Sequence, residues 1–206
     1  MSDNEFIPVD VDPLLIVISG PSGVGKDAVI QRMKERHLSF HFVVTMASRQ
    51  PRDGEVDGVD YFFATKEKFE SMIQAGEFLE HAWVYGEYKG IPKSQVQQAI
   101  ATGKDIVMRL DVQGAATIRT ICPDALLIFL TVENEKDLCT RLKKRKSETL
   151  EAMKQRIETA RQEFRRVKEF DYFVVNRENR LDETVETILA IIRAEHQRTK
   201  PRRLCL

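Results

Sequence analysis

Gly20-Pro21-Ser22-Gly23-Val24-Gly25-Lys26 has the residue types and the spacing to hold a phosphate. The pattern G-x-x-x-x-G-K is complete, and it stands between an apolar run at 14–18 and an amphipathic segment at 28–36. Strand, glycine turn and helix form the setting in which such a loop works. The glycines let the backbone curl so that successive N–H groups converge on one anion. The helix that starts here adds unpaired N–H groups and the positive end of its dipole. Lys26 reaches the terminal phosphates as a point charge. The eighth position is Asp27, where the pattern expects the Ser or Thr hydroxyl that binds Mg²⁺. A carboxylate oxygen is an acceptable Mg²⁺ ligand, so Asp27 is expected near or on the metal.

A second cationic feature lies in the polar stretch 48–55, where Arg49 and Arg52 flank Pro51. Two guanidinium groups can clamp a monophosphate with bidentate contacts that lysine cannot copy. On spacing alone, a solvated loop with two stray arginines is the competing account, as a solvated basic face is for 141–146. His37, His41, His81 and His196 show no ligand spacing and read as surface or packing residues. Cys122, Cys139 and Cys205 are far apart, odd in number and without a C-x-x-C, which fits a reducing compartment and idle or buried thiols.

The elements that must position these groups alternate between strand and helix. Strands are expected at 14–18, 40–46, 61–63, 77–85, 87–91, 106–111, 125–130 and 172–175. Helices are expected at 28–36, 66–74 (with Thr65 as N-cap), 93–102, from 113, 134–146, 148–168 and 181–196. Several strands are continuously apolar, which implies a parallel sheet covered on both faces, an α/β fold. Ligands in such sheets sit at the carboxyl ends of the strands, where the glycine loop, Asp111 and Asn176 all fall.

At 206 residues the chain is one domain of ordinary size, able to bury a sizeable core. Lys plus Arg and Asp plus Glu are 32 each, so no global charge argues for nucleic acid or a membrane surface. No stretch is long and apolar enough to span a bilayer. Residues 1–13 are acidic and polar, unlike a signal or transit peptide, and read as a loose tail.

The run Ser19 to Lys26 resembles guanylate kinase once it is joined to Ser48-Arg49-Gln50-Pro51-Arg52, Gly54 to Tyr61, Gly76-Glu77-Phe78-Leu79-Glu80, and Asp111-Val112-Gln113-Gly114. Arg141-Leu142 with Arg145 and Ser147-Glu148-Thr149 adds to the likeness, which runs from about residue 14 to the final helix. It implies transfer of the γ-phosphoryl group of ATP to GMP and dGMP, with Mg²⁺, in purine nucleotide metabolism. It also implies a P-loop nucleoside monophosphate kinase fold: a core at 14–46, 94–132 and 160–206, an inserted GMP-binding lobe at 47–93 and a helical lid at 133–159. Gly20, Ser22, Gly23, Val24, Gly25, Lys26, Asp27 and Asn176 would then meet ATP, with Asn176 beside the adenine. Thr45, Arg49, Arg52, Tyr61, Glu80, Lys89 and Asp111 would meet GMP. Lys26, Arg141, Arg145 and Arg156 would act on the transferring group.

A carboxylate at Glu80 suits guanine, which offers an N1–H and an amine side by side where adenine has a lone pair at N1. Four positions depart from the family pattern. Asp27 replaces the loop hydroxyl, Arg109 stands at the usual first acid of an Asp-x-Asp pair, and Lys89 and Ile91 replace a Tyr and a hydroxyl residue. Arg109 and Asp111 share a face of their strand, since side chains alternate, and that strand end adjoins the eighth loop position. Asp27 and Arg109 are therefore expected to pair, and Lys89 to supply a charge contact to the phosphate. Two other readings remain open at this point: a catalytically impaired binding module of the same family, and a P-loop kinase for another small acceptor. The cytoplasm is the expected compartment, with an organelle stroma or matrix if a targeting segment precedes this sequence. The protein is expected to be a monomer or homodimer, with lobe and lid standing open when no ligand is bound.

Overall fold

The computed structural model describes residues 12–36, 38–143 and 150–206. The core is a sheet in the order β2-β7-β1-β8-β9, built from β1 (Leu15–Ser19), β2 (Phe40–Phe42), β7 (Asp105–Arg109), β8 (Leu126–Thr131) and β9 (Tyr172–Val175). Every pairing in it is parallel. Alternation along β1 explains its two-sided burial. Ile16 and Ile18 face Val29, Ile30 and Met33 of α1 (Lys26–Glu35) and Val185, Ile188 and Ile192 of α7 (Leu181–His196). Leu15 and Val17 face Val96 and Ala99 of α3 (Lys93–Ala101) and Ala115 and Ile118 of α4 (Val112–Ile121). A strand buried on both faces must be apolar throughout, which is what 14–18 shows.

A second sheet, in the order β4-β3-β6-β5, holds β3 (Met46–Ala47), β4 (Phe62–Phe63), β5 (Phe78–Val84) and β6 (Glu87–Pro92). Its small core forms where Phe69 of α2 (Lys66–Gln74) stacks on Phe78 at 4.3 Å and on Tyr88 at 5.3 Å. Thr65 caps α2, its hydroxyl accepting from Lys68 N at 3.2 Å, as the sequence predicts.

The strand expected at 40–46 is divided between the two sheets. Val43 N still donates to Val107 O in the core, at 3.0 Å, while Thr45 O already accepts from Phe62 N in the second sheet, at 2.9 Å. The alternating pattern identifies extended chain but not the sheet to which it is bonded. In place of the helices expected at 134–146 and 148–168, the described residues form α5 (Glu135–Lys143) and α6 (Leu150–Arg165), followed by a 3-10 turn at Val167–Glu169. The break expected at 147–149 lies outside the described residues.

The thiols of Cys122 and Cys205, 83 residues apart, meet at the C-terminal tail, where Cys205 N donates to Cys122 Sγ at 3.3 Å. Among the described residues, no helix is long and apolar enough to cross a membrane.

Candidate active site

The loop between β1 and α1 turns at the carboxyl end of the central strand. Gly20 has φ +133°, and a Cβ there would lie 2.1 Å from Leu130 O, so β8 is close enough to admit only glycine. The N-terminus of α1 has no side-chain cap, which leaves its first N–H groups available to an anion. Lys26 folds back so that Nζ donates to the carbonyls of Gly20 and Pro21. Burial lowers its pKa to about 8, opposed chiefly by the Glu163 carboxylate.

One cleft gathers Gly20, Ser22, Gly23, Gly25, Lys26 and Asp27 with Thr45, Arg52, Tyr61, Lys89, Asp111 and Arg156. The expected pair forms: Arg109 Nη1 donates to Asp27 Oδ1 at 2.6 Å. Arg109 does more than the sequence suggests, since its Nη2 donates to Asp60 O at 2.6 Å and its guanidinium lies 4.0 Å from the Tyr61 ring centre.

Glu80 sits at the rear of this site, 4 % exposed, beside Asp111 and Gly114. Its Oε2 has no hydrogen-bond partner among the described residues. Burial, then the Asp111 charge, raises its pKa to about 8. Asp111 caps α4, its Oδ1 accepting from Gln113 N and Gly114 N at 2.7 and 3.1 Å. Thr45 is buried and donates to Arg109 O at 3.3 Å.

Several predicted residues stand away from the cleft wall. Arg49 is engaged by Glu55 through two hydrogen bonds, at 2.6 and 2.8 Å, and lies 3.2 Å from Glu87. Its guanidinium packs on Tyr61 and Phe63. Lys89 reaches the cleft while pairing with Glu87 at 3.0 Å. The Asn176 amide donates to Val24 O at 2.8 Å and accepts from Thr184 Oγ1 at 3.1 Å. Arg141 bonds Val24 O and Asn176 O at 3.1 and 2.7 Å. Asn176 and Arg141 thus brace the loop from behind at Val24, a role that the sequence does not assign them. Arg145 lies outside the described residues.

Sequence reasoning missed Tyr85 and Glu163. Tyr85 follows β5 in the hairpin turn and also lines the cleft. Its hydroxyl donates to Glu163 Oε2 of α6 at 2.8 Å and accepts from Ser22 N at 3.4 Å. Arg156, also on α6, donates to Ser22 Oγ at 2.9 Å and lies 5.1 Å from the Tyr85 ring centre. The expected separation of lobe and lid is therefore not what this structure shows at Tyr85. A signal was present: Tyr85-Gly86 is a two-residue hairpin turn, where Asn or Asp is usual before Gly.

The family model for guanylate kinase matches residues 13–195. The chain belongs to the guanylate kinase family. It is 54 % identical over 192 residues to guanylate kinase 2, chloroplastic/mitochondrial, of Oryza sativa, covering 91 % of this chain and 67 % of that one. It is 42 % identical over 185 residues to guanylate kinase of Lactococcus lactis, covering 90 % and 89 %. The crystal structure of guanylate kinase from Anaplasma phagocytophilum aligns with a TM-score of 0.75 at 26 % identity, covering 92 % and 89 %. The fold is thus that of a P-loop kinase, and the protein is a phosphotransferase that phosphorylates GMP.

Proposed function

We propose that this guanylate kinase takes the γ-phosphoryl group from ATP, with Mg²⁺, and passes it to GMP or dGMP to give ADP and the diphosphate. The observation that carries the reading is Glu80, a buried carboxyl with an unpartnered oxygen, beside Asp111 of a cleft rich in phosphate-binding groups. An orphaned polar oxygen at 4 % exposure is costly unless a ligand completes it, and guanine brings two adjacent N–H donors that favour the ionised carboxylate. Adenine would leave it unpaired. Thr45 and Asp111, both lining the cleft, would meet the base oxygen and amine.

The attacking group is a phosphate oxygen that is already anionic, so no general base is needed. Catalysis is then positioning and charge neutralisation. The loop N–H groups and Lys26 would hold the donor phosphates. Arg52, Tyr61 and Lys89 would hold the acceptor phosphate, with Arg49 behind Tyr61, and Arg156 would lie over the transferring group. Arg141 and Asn176 would keep the loop in shape.

The residues present fit Mg²⁺ bound mainly through substrate phosphates and water, as is usual for that ion. Asp27 is half-exposed at the head of α1, and no cluster of three metal-ligating side chains occurs among the described residues. Asp27 would hold the ion, which supplies charge neutralisation at the donor phosphates.

The test is ADP formation from ATP and Mg²⁺ with GMP, dGMP, AMP, UMP and no acceptor in parallel. Turnover confined to GMP and dGMP is expected. Equal turnover with AMP would overturn the role given to Glu80, and none with GMP would overturn the whole reading.

A further inference from the structure

Tyr85 occupies a position that its own backbone disfavours. It has φ +55° and is followed by Gly86 at φ +79°, while Val84 pairs with Glu87 across the turn. This is the twist-matched hairpin turn in which both central residues need positive φ, and an aromatic side chain gains nothing from that conformation. A bulky residue persisting in left-handed backbone marks a place where something else determines the choice. Here the something else is visible. The hydroxyl bridges Ser22 N of the phosphate loop and Glu163 of α6, and the ring lies beside Arg156, which itself bonds Ser22. Glu163 is 8 % exposed, so this meeting of loop, hairpin and helix is largely shielded from water.

We infer that Tyr85 is a positioning residue that couples the second sheet, which carries the acceptor groups, to the donor loop and to α6. Through it, occupancy of the loop reaches the sheet without any contact between donor nucleotide and sheet. The inference rests on the phosphotransfer reading above and deepens it: Tyr85 works through Ser22, Glu163 and Arg156 and not on the reacting atoms.

The experiment compares Tyr85→Asn, Tyr85→Phe, Glu163→Ala and the double change Tyr85→Phe/Glu163→Ala with the wild type. Asn suits the turn better than Tyr, so Y85N should keep or raise Tm while kcat falls about tenfold or more and KM for ATP stays within about threefold. Y85F and E163A should each lower kcat, and the double variant should be no worse than the poorer single. Multiplying losses would overturn the coupling, as would wild-type kcat in Y85N. Trp83 is the sole tryptophan and lies on the same hairpin, so its emission gives a reading that needs no turnover. A non-hydrolysable ATP analogue should shift it in wild type and not in Y85N; equal shifts would overturn the inference. The wild-type rate with GMP tests the reaction, whereas only variant-to-wild-type differences test Tyr85.

Discussion

Glu80 is a carboxyl placed where its charged form is expensive. With a pKa raised from 4.5 to about 8, the folded protein carries a proton on it that the unfolded chain has lost. Between those two values the folded state binds more protons, so this residue makes stability fall as pH rises from about 4.5 to about 8 and level off beyond. Glu80→Gln has no such proton. Its Tm should lack that decline, and its KM for GMP should rise roughly 100-fold because the amide cannot accept both guanine protons. A scan of Tm against pH beside GMP kinetics checks both. The Asp27–Arg109 pair gives a second residue-scale prediction. Asp27→Ser leaves the Arg109 guanidinium short of its carboxylate and should lower kcat about tenfold or more; adding Arg109→Asp should recover part of the loss. Strictly additive effects would show that the two do not act together. This pair was legible in the sequence, because alternation on one strand and the order of the loop fix who can meet whom. The meeting of Tyr85 with Glu163 was not legible, since 78 residues separate them and only the fold brings them together. Arg49 marks the limit of spacing arguments: two arginines near a proline read as a phosphate hook, yet Glu55 and Glu87 already surround one of them.

At the scale of elements, glycine and apolar runs made most strands and helices readable, and the division of the chain between two sheets at 43–45 was not. The start of α4 shows how an element can be shaped by a neighbour's side chain. Gly114 lies in its first turn, and a Cβ there would fall 2.7 Å from Glu80 Oε2. By helix propensity alone, Gly114→Ala favours the helix by up to ~1 kcal/mol. We expect it nonetheless to weaken GMP binding while ATP binding is unchanged, because Glu80 must shift. Titration calorimetry with each nucleotide separates these effects; equal GMP affinity in the variant would remove Glu80 from base recognition.

Across the whole molecule the parallel sheet is polar: its strand ends carry chemistry and its strand beginnings carry stability. At the beginnings, Asp105 of β7 accepts from Leu14 N at 2.8 Å and lies 2.8 Å from His196 Nε2 at the end of α7. This histidine, unassigned by its spacing, joins the last helix to the sheet. His196→Ala should cost about 1 kcal/mol in stability and leave kcat/KM for GMP unchanged. Parallel denaturation and kinetic measurements decide; a large kinetic loss would mean that the two ends of the sheet are linked. The overall α/β class was readable because alternation of elements determines it. The closeness of loop, hairpin and α6 was not, since it depends on contacts between surfaces distant in sequence.

The ion pair at the head of α1 has a consequence for anyone who would shuffle domains. Residues 19–27 look like a module that could be lifted out, yet the partner of their last carboxylate comes from β7, 82 positions away, and that same arginine also holds the turn before β4 at Asp60. A chimaera that receives the loop alone inherits a negative charge beside bound phosphates without the Arg109 guanidinium that meets it here. The smallest transferable unit is the loop together with the end of β7, so these two stretches are expected to change in step or not at all.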